Sequence, residues 1–99
     1  MSEEMVVTGN EAITVVDALT STSLRILQLL SKERLDVSMI GERLGLSEAY
    51  ISEQVRRLEE LKLIRVDYER GTRGIRKMCQ TTVNKITIII KSETTRTNG

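Results

Sequence analysis

The stretch from Asp36 to Leu61, DVSMIGERLGLSEAYISEQVRRLEEL, decides the fold of this chain. Asp36 is a residue type that caps the start of a helix, and Gly45 suits the end of one because glycine accepts a positive φ without a steric penalty. Ser47 then caps a second helix that runs to about Leu61. The stretch therefore predicts two consecutive helices joined by a tight turn.

The second of these helices separates an apolar side from a polar side. Its apolar residues recur at the spacing of one buried helix face, and they are Ile51, Val55, Leu58 and Leu61. At about 100° per residue, the opposite side and its flanks hold Ala49, Tyr50, Ser52, Glu53, Gln54, Arg56 and Arg57. We therefore expect this helix to pack through its apolar side and to present the other to a partner.

Strands follow the two helices. Residues 64–69 alternate between apolar and charged side chains, which predicts a half-buried strand. Gly71 and Gly74 enclose a turn, residues 75–80 return as a second strand, and residues 86–91 form a third strand that is too apolar to be left exposed. Helix, tight turn, helix and β-hairpin is the order of elements in a winged helix-turn-helix.

Two further helices precede this unit. In the first, Asn10 is the predicted cap, and Ile13, Val16 and Leu19 are predicted to face inward, although β-branched residues there are also compatible with a strand. In the second, Thr20 to Ser23 supply capping hydroxyls, and the nearly continuous apolar run from Leu24 to Leu30 predicts a largely buried helix.

The fold class is thus α+β: a winged helix-turn-helix of about four helices with a β-hairpin wing and a C-terminal strand. We expect a flexible acidic lead over residues 1–9, the winged helix-turn-helix domain over 10–91 and a flexible tail over 92–99. Gly41, in the middle of a predicted helix, indicates a close crossing of the two helices.

The composition argues against an enzyme. The chain has no His and one Cys, Cys79, so the most frequent general base and metal ligand is absent. We expect no cofactor and no metal. Neither a signal peptide nor an apolar run of about 20 residues is present, so we expect no membrane and a cytoplasmic, nucleoid-associated protein. Cys79 is interpreted as a small core residue, with a redox sensor as the alternative.

The basic residues are concentrated in one segment. The chain has a net charge of +1, but residues 62–77 hold six basic against two acidic residues, a net +4. Four of the six surround the predicted turn of the wing: Arg70, Arg73, Arg76 and Lys77. A basic hairpin tip can lie along phosphates or enter a minor groove, where arginine is favoured.

The polar side of the second helix has the chemistry to read double-stranded DNA. A major groove accepts one α-helix, Gln54 can pair with adenine, and Arg56 can pair with guanine. Glu53 can accept a hydrogen bond from cytosine or hold Arg57 four residues further on. The predicted DNA-binding residues are Ala49, Tyr50, Ser52, Glu53, Gln54, Arg56, Arg57, Arg70, Arg73, Arg76 and Lys77.

Residues 17–30, 40–52 and 55–64 resemble ArsR-type winged-helix transcriptional regulators, and residues 68–79 are similar to small archaeal members of that group. The resemblance covers about residues 10–91. It implies a homodimer on a near-palindromic operator, repression, and DNA contact by the wing arginines and by Ala49, Tyr50, Ser52, Glu53, Gln54 and Arg56. Three departures are visible: Thr22 stands where many relatives have Pro, the Cys pairs or His clusters of metal sensors are missing, and a strand replaces the long C-terminal dimer helix.

These departures leave the dimer contact to the first helix or to the strand 86–91. Two other functions stay open beside a sequence-specific regulator. A winged helix can dock a protein instead of DNA, and Glu48, Glu53, Glu59 and Glu60 on the polar helix are compatible with that. A chromatin-like binder without sequence preference is the third reading, against which the small net charge argues.

Overall fold

A computed structural model describes residues 3–91 of the chain. The elements in chain order are β1 (Glu4–Thr8), α1 (Gly9–Ala18), α2 (Ser21–Leu30), β2 (Leu35–Asp36), α3 (Val37–Leu44), α4 (Glu48–Glu60), β3 (Ile64–Gly71), β4 (Gly74–Thr81) and β5 (Lys85–Ile89). β3 and β4 form an antiparallel hairpin that β2 extends, while β1 pairs in parallel with β5. This architecture is a winged helix-turn-helix, as the sequence predicts.

The main core lies between α2, α3, α4 and the base of the hairpin. Ile26 of α2, Ile40 of α3 and Ile51 of α4 are fully buried there, and Val66 of β3 packs with them. Val55 and Leu58 of α4 are also fully buried. The predicted apolar side of α4 is thereby confirmed, and the polar side is left at the surface.

Local capping signals fix the two helices at the centre of the fold. The Oδ1 atom of Asp36 accepts a hydrogen bond from the Met39 amide at 2.8 Å, and the Oγ atom of Ser47 accepts one from the Tyr50 amide at 3.2 Å. Gly45 ends α3 in the left-handed conformation with φ 69°. All three residues do what the sequence predicts of them, so the orientation of α4 is determined locally.

The turn between α3 and α4 needs a glycine on its inner side. A Cβ atom on Gly41 would lie 2.8 Å from the carbonyl oxygen of Leu46 and 3.8 Å from the Ile51 side chain of α4. The Leu46 amide also donates to the Gly41 carbonyl at 2.9 Å. The expected close approach is present, and its tightest contact is with the backbone of the turn.

The N-terminal segment corrects one expectation. Residues 4–8 are not a flexible lead: they form β1, in which Val7 is buried and aligns with Ile88 of β5. Met5 and Val7 pack on the same side as the apolar residues of β5, and a pairing between strands some 80 residues apart leaves no local signal. The predicted tail over 92–99 lies outside the described residues.

The first helix buries the other side from the one predicted. Ala12, Val15 and Ala18 are buried, whereas Ile13 is 63% exposed and Val16 is 51% exposed. The helix also begins at Gly9, with Thr8 rather than Asn10 at the cap position and no side-chain cap. The small side chains of two alanines let α1 pack closely on β1, and the larger residues are turned outward.

Apolar residues are also exposed in α2 and at the end of β5. α2 has the predicted cap, in which Thr20 and Ser23 bond each other's backbone, but Leu24 is 47% exposed. β5 covers Lys85–Ile89 instead of 86–91, and Ile90 beyond it is 92% exposed. Leu24 turns outward because α2 buries only one side, and nothing among residues 3–91 covers Ile90.

Among residues 3–91, no single helix is long and apolar enough to cross a membrane. Only α1 and α2 taken together, with an 88° bend between them, reach such a length and composition.

Candidate nucleic-acid interface

A groove between the N-terminal half of α4 and the β3–β4 wing is the centre of the candidate site. It has a volume of about 830 Å³ and brings together residues that lie far apart in the sequence. Its lining comprises the start of α3, two residues of α4 and the wing: Asp36, Val37, Ser38, Glu48, Ser52 and residues 70–77. The sequence-predicted Ser52, Arg70, Arg73, Arg76 and Lys77 are therefore placed around one groove.

The remaining predicted residues of α4 lie on its outward side. Ala49, Tyr50 and Glu53 are exposed and Gln54 is partly exposed. Arg56 and Arg57 are exposed further along the helix. The helix thus presents a continuous polar surface next to the groove, with the Ser47 cap at the end that enters it.

The charge of the wing is concentrated at its tip. Both acidic residues of β3 are engaged away from it, because Arg34 bonds the Glu69 carboxylate at 2.6 Å and lies 3.6 Å from that of Asp67. Within residues 3–91, Arg57, Arg70, Arg73 and Lys77 form no ion pair. Among the predicted DNA-binding residues, these four are the cations that are free to meet phosphates.

Arg76 differs from the other wing cations. Its Nε atom donates to the Oδ2 atom of Asp36 at 2.9 Å, and its guanidinium also touches the Met39 sulfur at 3.7 Å. Asp36 therefore caps α3 with one oxygen and holds the wing with the other. Arg76 therefore links β4 to the start of α3, and its contact with DNA stays a prediction.

Arg56 is held by two carboxylates. It bonds Glu53 at 2.5 Å and Glu60 at 3.0 Å, and all three side chains are more than half exposed. The hydrogen bond that Arg56 donates to the Glu53 carboxylate raises the pKa of the Arg56 guanidinium above its ordinary value. The pair of Glu53 with Arg57, one of the two alternatives that the sequence allows, does not form in the structure, because Arg56, one turn from each carboxylate, reaches both.

The outer half of the wing exposes two large apolar residues, of which Tyr68 belongs to the alternation that predicts a half-buried strand. Tyr68 is 65% exposed and Ile75 is 73% exposed. Both lie where the hairpin extends beyond the core, so both of its sides face outward. Ser38 and Glu48 also line the groove but are not among the DNA-binding residues predicted from the sequence. Their position in the first turns of α3 and α4 is the signal that could have identified them.

A second surface is apolar and lies away from the groove. The α1–β5 surface consists of Ile13, Val16, Ile88, Ile89 and Ile90, which line a shallow groove of about 650 Å³. Exposed apolar residues clustered in this way mark contact sites on many proteins.

Cys79 lies in the core, where the sequence places it. It is fully buried, and burial raises the pKa of its thiol from 9.0 to about 11. A buried thiol with a raised pKa is unreactive at neutral pH. Within residues 3–91, no group of three or more His, Cys, Asp or Glu side chains is arranged to hold a metal ion.

Comparisons with known proteins agree with this architecture. Residues 20–66, which contain α2, α3, α4 and the start of β3, match the family model described as bacterial regulatory protein, arsR family. A comparison with curated protein sequences finds no significant match. The matched segment is the helix-turn-helix itself, so the likeness to the arsR family lies in that unit.

Solved structures with a similar fold are also winged helix-turn-helix proteins or regulators. A mutant of ZitR from Lactococcus lactis is 31% identical with a TM-score of 0.55, over 65% of this chain and 43% of that one. Mb0332 from Mycobacterium bovis, a homodimeric winged helix-turn-helix DNA-binding domain, is 25% identical with a TM-score of 0.63, over 73% of this chain and 64% of that one.

A third similar structure contains DNA. Another ZitR mutant, in complex with DNA, is 28% identical with a TM-score of 0.57, over 65% of this chain and 43% of that one. The chain spans less than half the length of the ZitR chains that it matches.

Proposed function

We propose that the protein is a transcriptional regulator that binds double-stranded DNA in a sequence-specific way and acts as a repressor. The observation that carries this proposal is the groove that joins the N-terminal half of α4 to a wing tip with uncompensated cations. α4 fits the width of a major groove, and a basic hairpin beside it fits the adjacent backbone or minor groove. The arsR family match and the DNA-bound ZitR support this assignment.

The residues divide into two roles. Phosphates are bound by Arg57, Arg70, Arg73 and Lys77, which have no ion pair within residues 3–91 and therefore lose none on binding. Base edges are read from α4 by Ala49, Tyr50, Ser52, Glu53, Gln54 and Arg56. Arg76 holds the wing at its angle to α3 and stays close enough to the groove to contact the backbone.

The proposal includes a homodimer formed through the α1–β5 surface. The Mycobacterium bovis domain is homodimeric, and in this chain the expected dimer elements, α1 and the C-terminal strand, together expose the apolar α1–β5 surface. A two-fold dimer presents two copies of α4, so its operator is a near-palindrome with half-sites about one helical turn apart. The regulator acts in the cytoplasm on nucleoid DNA, needs no metal or cofactor for this contact, and has no enzymatic role.

Selection of duplexes from a random pool by the full chain tests the proposal. We expect enrichment of one palindromic site, bound with an affinity that falls steeply as salt is raised, because phosphate contacts release counterions. Gln54→Ala should weaken the selected site more than unrelated duplexes. Glu42→Gln, an exposed change on α3 outside the groove, is the control.

Two other outcomes would contradict it. Salt-sensitive binding without an enriched site would indicate a chromatin-like binder. No binding even at low salt would leave a winged helix that docks a protein.

A further inference from the structure

The free cations and Arg56 lie in contrasting surroundings. Arg57 and the wing cations Arg70, Arg73 and Lys77 make no ion pair within residues 3–91, whereas Arg56 bonds Glu53 through Nη2 and Glu60 through Nη1. The three members of this cluster are exposed on the outward side of α4. We call Glu53, Arg56 and Glu60 the α4 triad.

The α4 triad carries a net charge of −1 and is poorly suited to bind phosphates. A phosphate that approaches Arg56 meets a carboxylate on each side, and both carboxylates repel it and compete with it for the guanidinium. A helix that only added to backbone affinity would leave this arginine free, as α4 does with Arg57. The triad therefore favours a ligand that offers a donor to Glu53 as well as acceptors to Arg56.

A G·C base pair offers that combination in the major groove. Guanine presents O6 and N7, which accept a bidentate arginine, and its paired cytosine presents the N4 amino group as a donor. In an A·T pair, adenine N7 and thymine O4 are separated by the adenine amino group, so no base gives arginine two adjacent acceptors. Both hydrogens of each terminal arginine nitrogen are donors, so Arg56 can keep its bond to Glu53 while it binds guanine.

We propose that Glu53 and Arg56 act as one unit that reads a G·C base pair, and that Glu60 is the competitor that Arg56 leaves on binding. This inference rests on the proposed DNA-binding function. Glu53 positions the guanidinium and accepts a hydrogen bond from the cytosine amino group. At another base pair that presents an acceptor at this place, the Glu53 carboxylate is repelled. Phosphates alone do not release Arg56 from Glu60.

The test compares Glu53→Gln with Glu59→Gln in the full chain. Glu59 is exposed on the same helix and forms no ion pair within residues 3–91, so the two variants lose the same charge from the same helix. For each protein, selection from a random duplex pool gives the base preference at every position, and titrations give the affinity for the selected site and for an unrelated duplex.

We expect Glu53→Gln to reduce the preference for one G·C pair per half-site by about tenfold, as for the loss of one good base contact, and to raise affinity for the unrelated duplex. Glu59→Gln should keep the preference and change affinities by less. Glu60→Gln should raise affinity for the selected site without altering which base is preferred, because it removes only the competitor. Arg56→Ala should abolish the same preference as Glu53→Gln.

Equal effects of Glu53→Gln and Glu59→Gln would overturn the inference, because the carboxylate would then act only through net charge. An unchanged base preference in Arg56→Ala would overturn it as well. In both cases the wild-type protein still binds its site, and the proposed function stands. Absence of DNA binding by the wild-type protein is a different result, which refutes the proposed function and this inference with it.

Discussion

Replacing Gly41 with alanine should destabilise the protein although alanine is the better helix former. The new Cβ atom would lie 2.8 Å from the backbone oxygen of Leu46. This oxygen cannot move away alone, because the Leu46 amide is bonded to the Gly41 carbonyl at 2.9 Å. The turn between α3 and α4 must therefore shift, and α4 must shift with it.

The expected cost follows from two opposing contributions. Alanine in a helix interior gains about 1 kcal/mol over glycine, while overpacking of a rigid site costs up to about 3 kcal/mol. A contact this short with backbone rather than with a flexible side chain belongs at the upper end of that range. The net loss in the free energy of unfolding is about 2 kcal/mol, or a urea midpoint lower by about 1 M if m is about 2 kcal/mol/M.

Urea unfolding followed by circular dichroism measures this change. Glu42→Ala is the control, because Glu42 is the exposed neighbour of Gly41 on α3 and reports the effect of alanine without a clash. We also expect Gly41→Ala to lower DNA affinity in the absence of urea, where the variant is fully folded. A midpoint equal to or above that of the control would refute the packing argument.

Three further predictions concern the wing, the dimer and the core. Arg73→Ala should weaken the selected and unrelated duplexes equally and reduce the slope of log affinity against log salt by about 1, since it removes one phosphate contact; a change in base preference would contradict this role. Ile13→Glu should convert the dimer to a monomer in sedimentation equilibrium, whereas Thr14→Glu, exposed beside it but outside the α1–β5 surface, should not; equal effects of the two would exclude the surface as the interface. Because burial raises the pKa of Cys79 from 9.0 to about 11, the native state holds that proton more tightly than the unfolded state, so its contribution to stability is complete below about pH 9 and is lost as the pH rises towards 11. Cys79→Ala should show a smaller fall in unfolding free energy over that window than the wild-type protein, and an identical pH profile would contradict the shift.

The central part of the fold could be predicted because its signals are local. Asp36, Gly45 and Ser47 each bond or bend the backbone within a few residues of themselves, and a period of three to four in α4 followed by a period of two in the wing distinguishes helix from strand. β1 was missed because its partner β5 is at the other end of the chain. The inward side of α1 was missed because apolar residues occupy both sides, and only the packing selects Val15 over Ile13.

The sequence predicts which residue types lie in the candidate site, but not which side chains they contact. The sequence identifies which cations lie near the turn of the wing, but not that Asp36 on a distant element holds Arg76. It also suggests a carboxylate partner for an arginine of α4, but two arginines are within reach of Glu53 along a helix, and rotamers decide between them. The small archaeal type remains a prediction from the resemblance.

The most direct test of the central claim is an amide chemical-shift map of the ¹⁵N-labelled protein during titration with its selected duplex. We predict that the largest changes occur in α4 from residue 48 to 57 and in the wing from 70 to 77, with the α1–β5 surface little affected. Changes concentrated on the α1–β5 surface, or none in α4, would contradict the claim that α4 and the wing bind one duplex together.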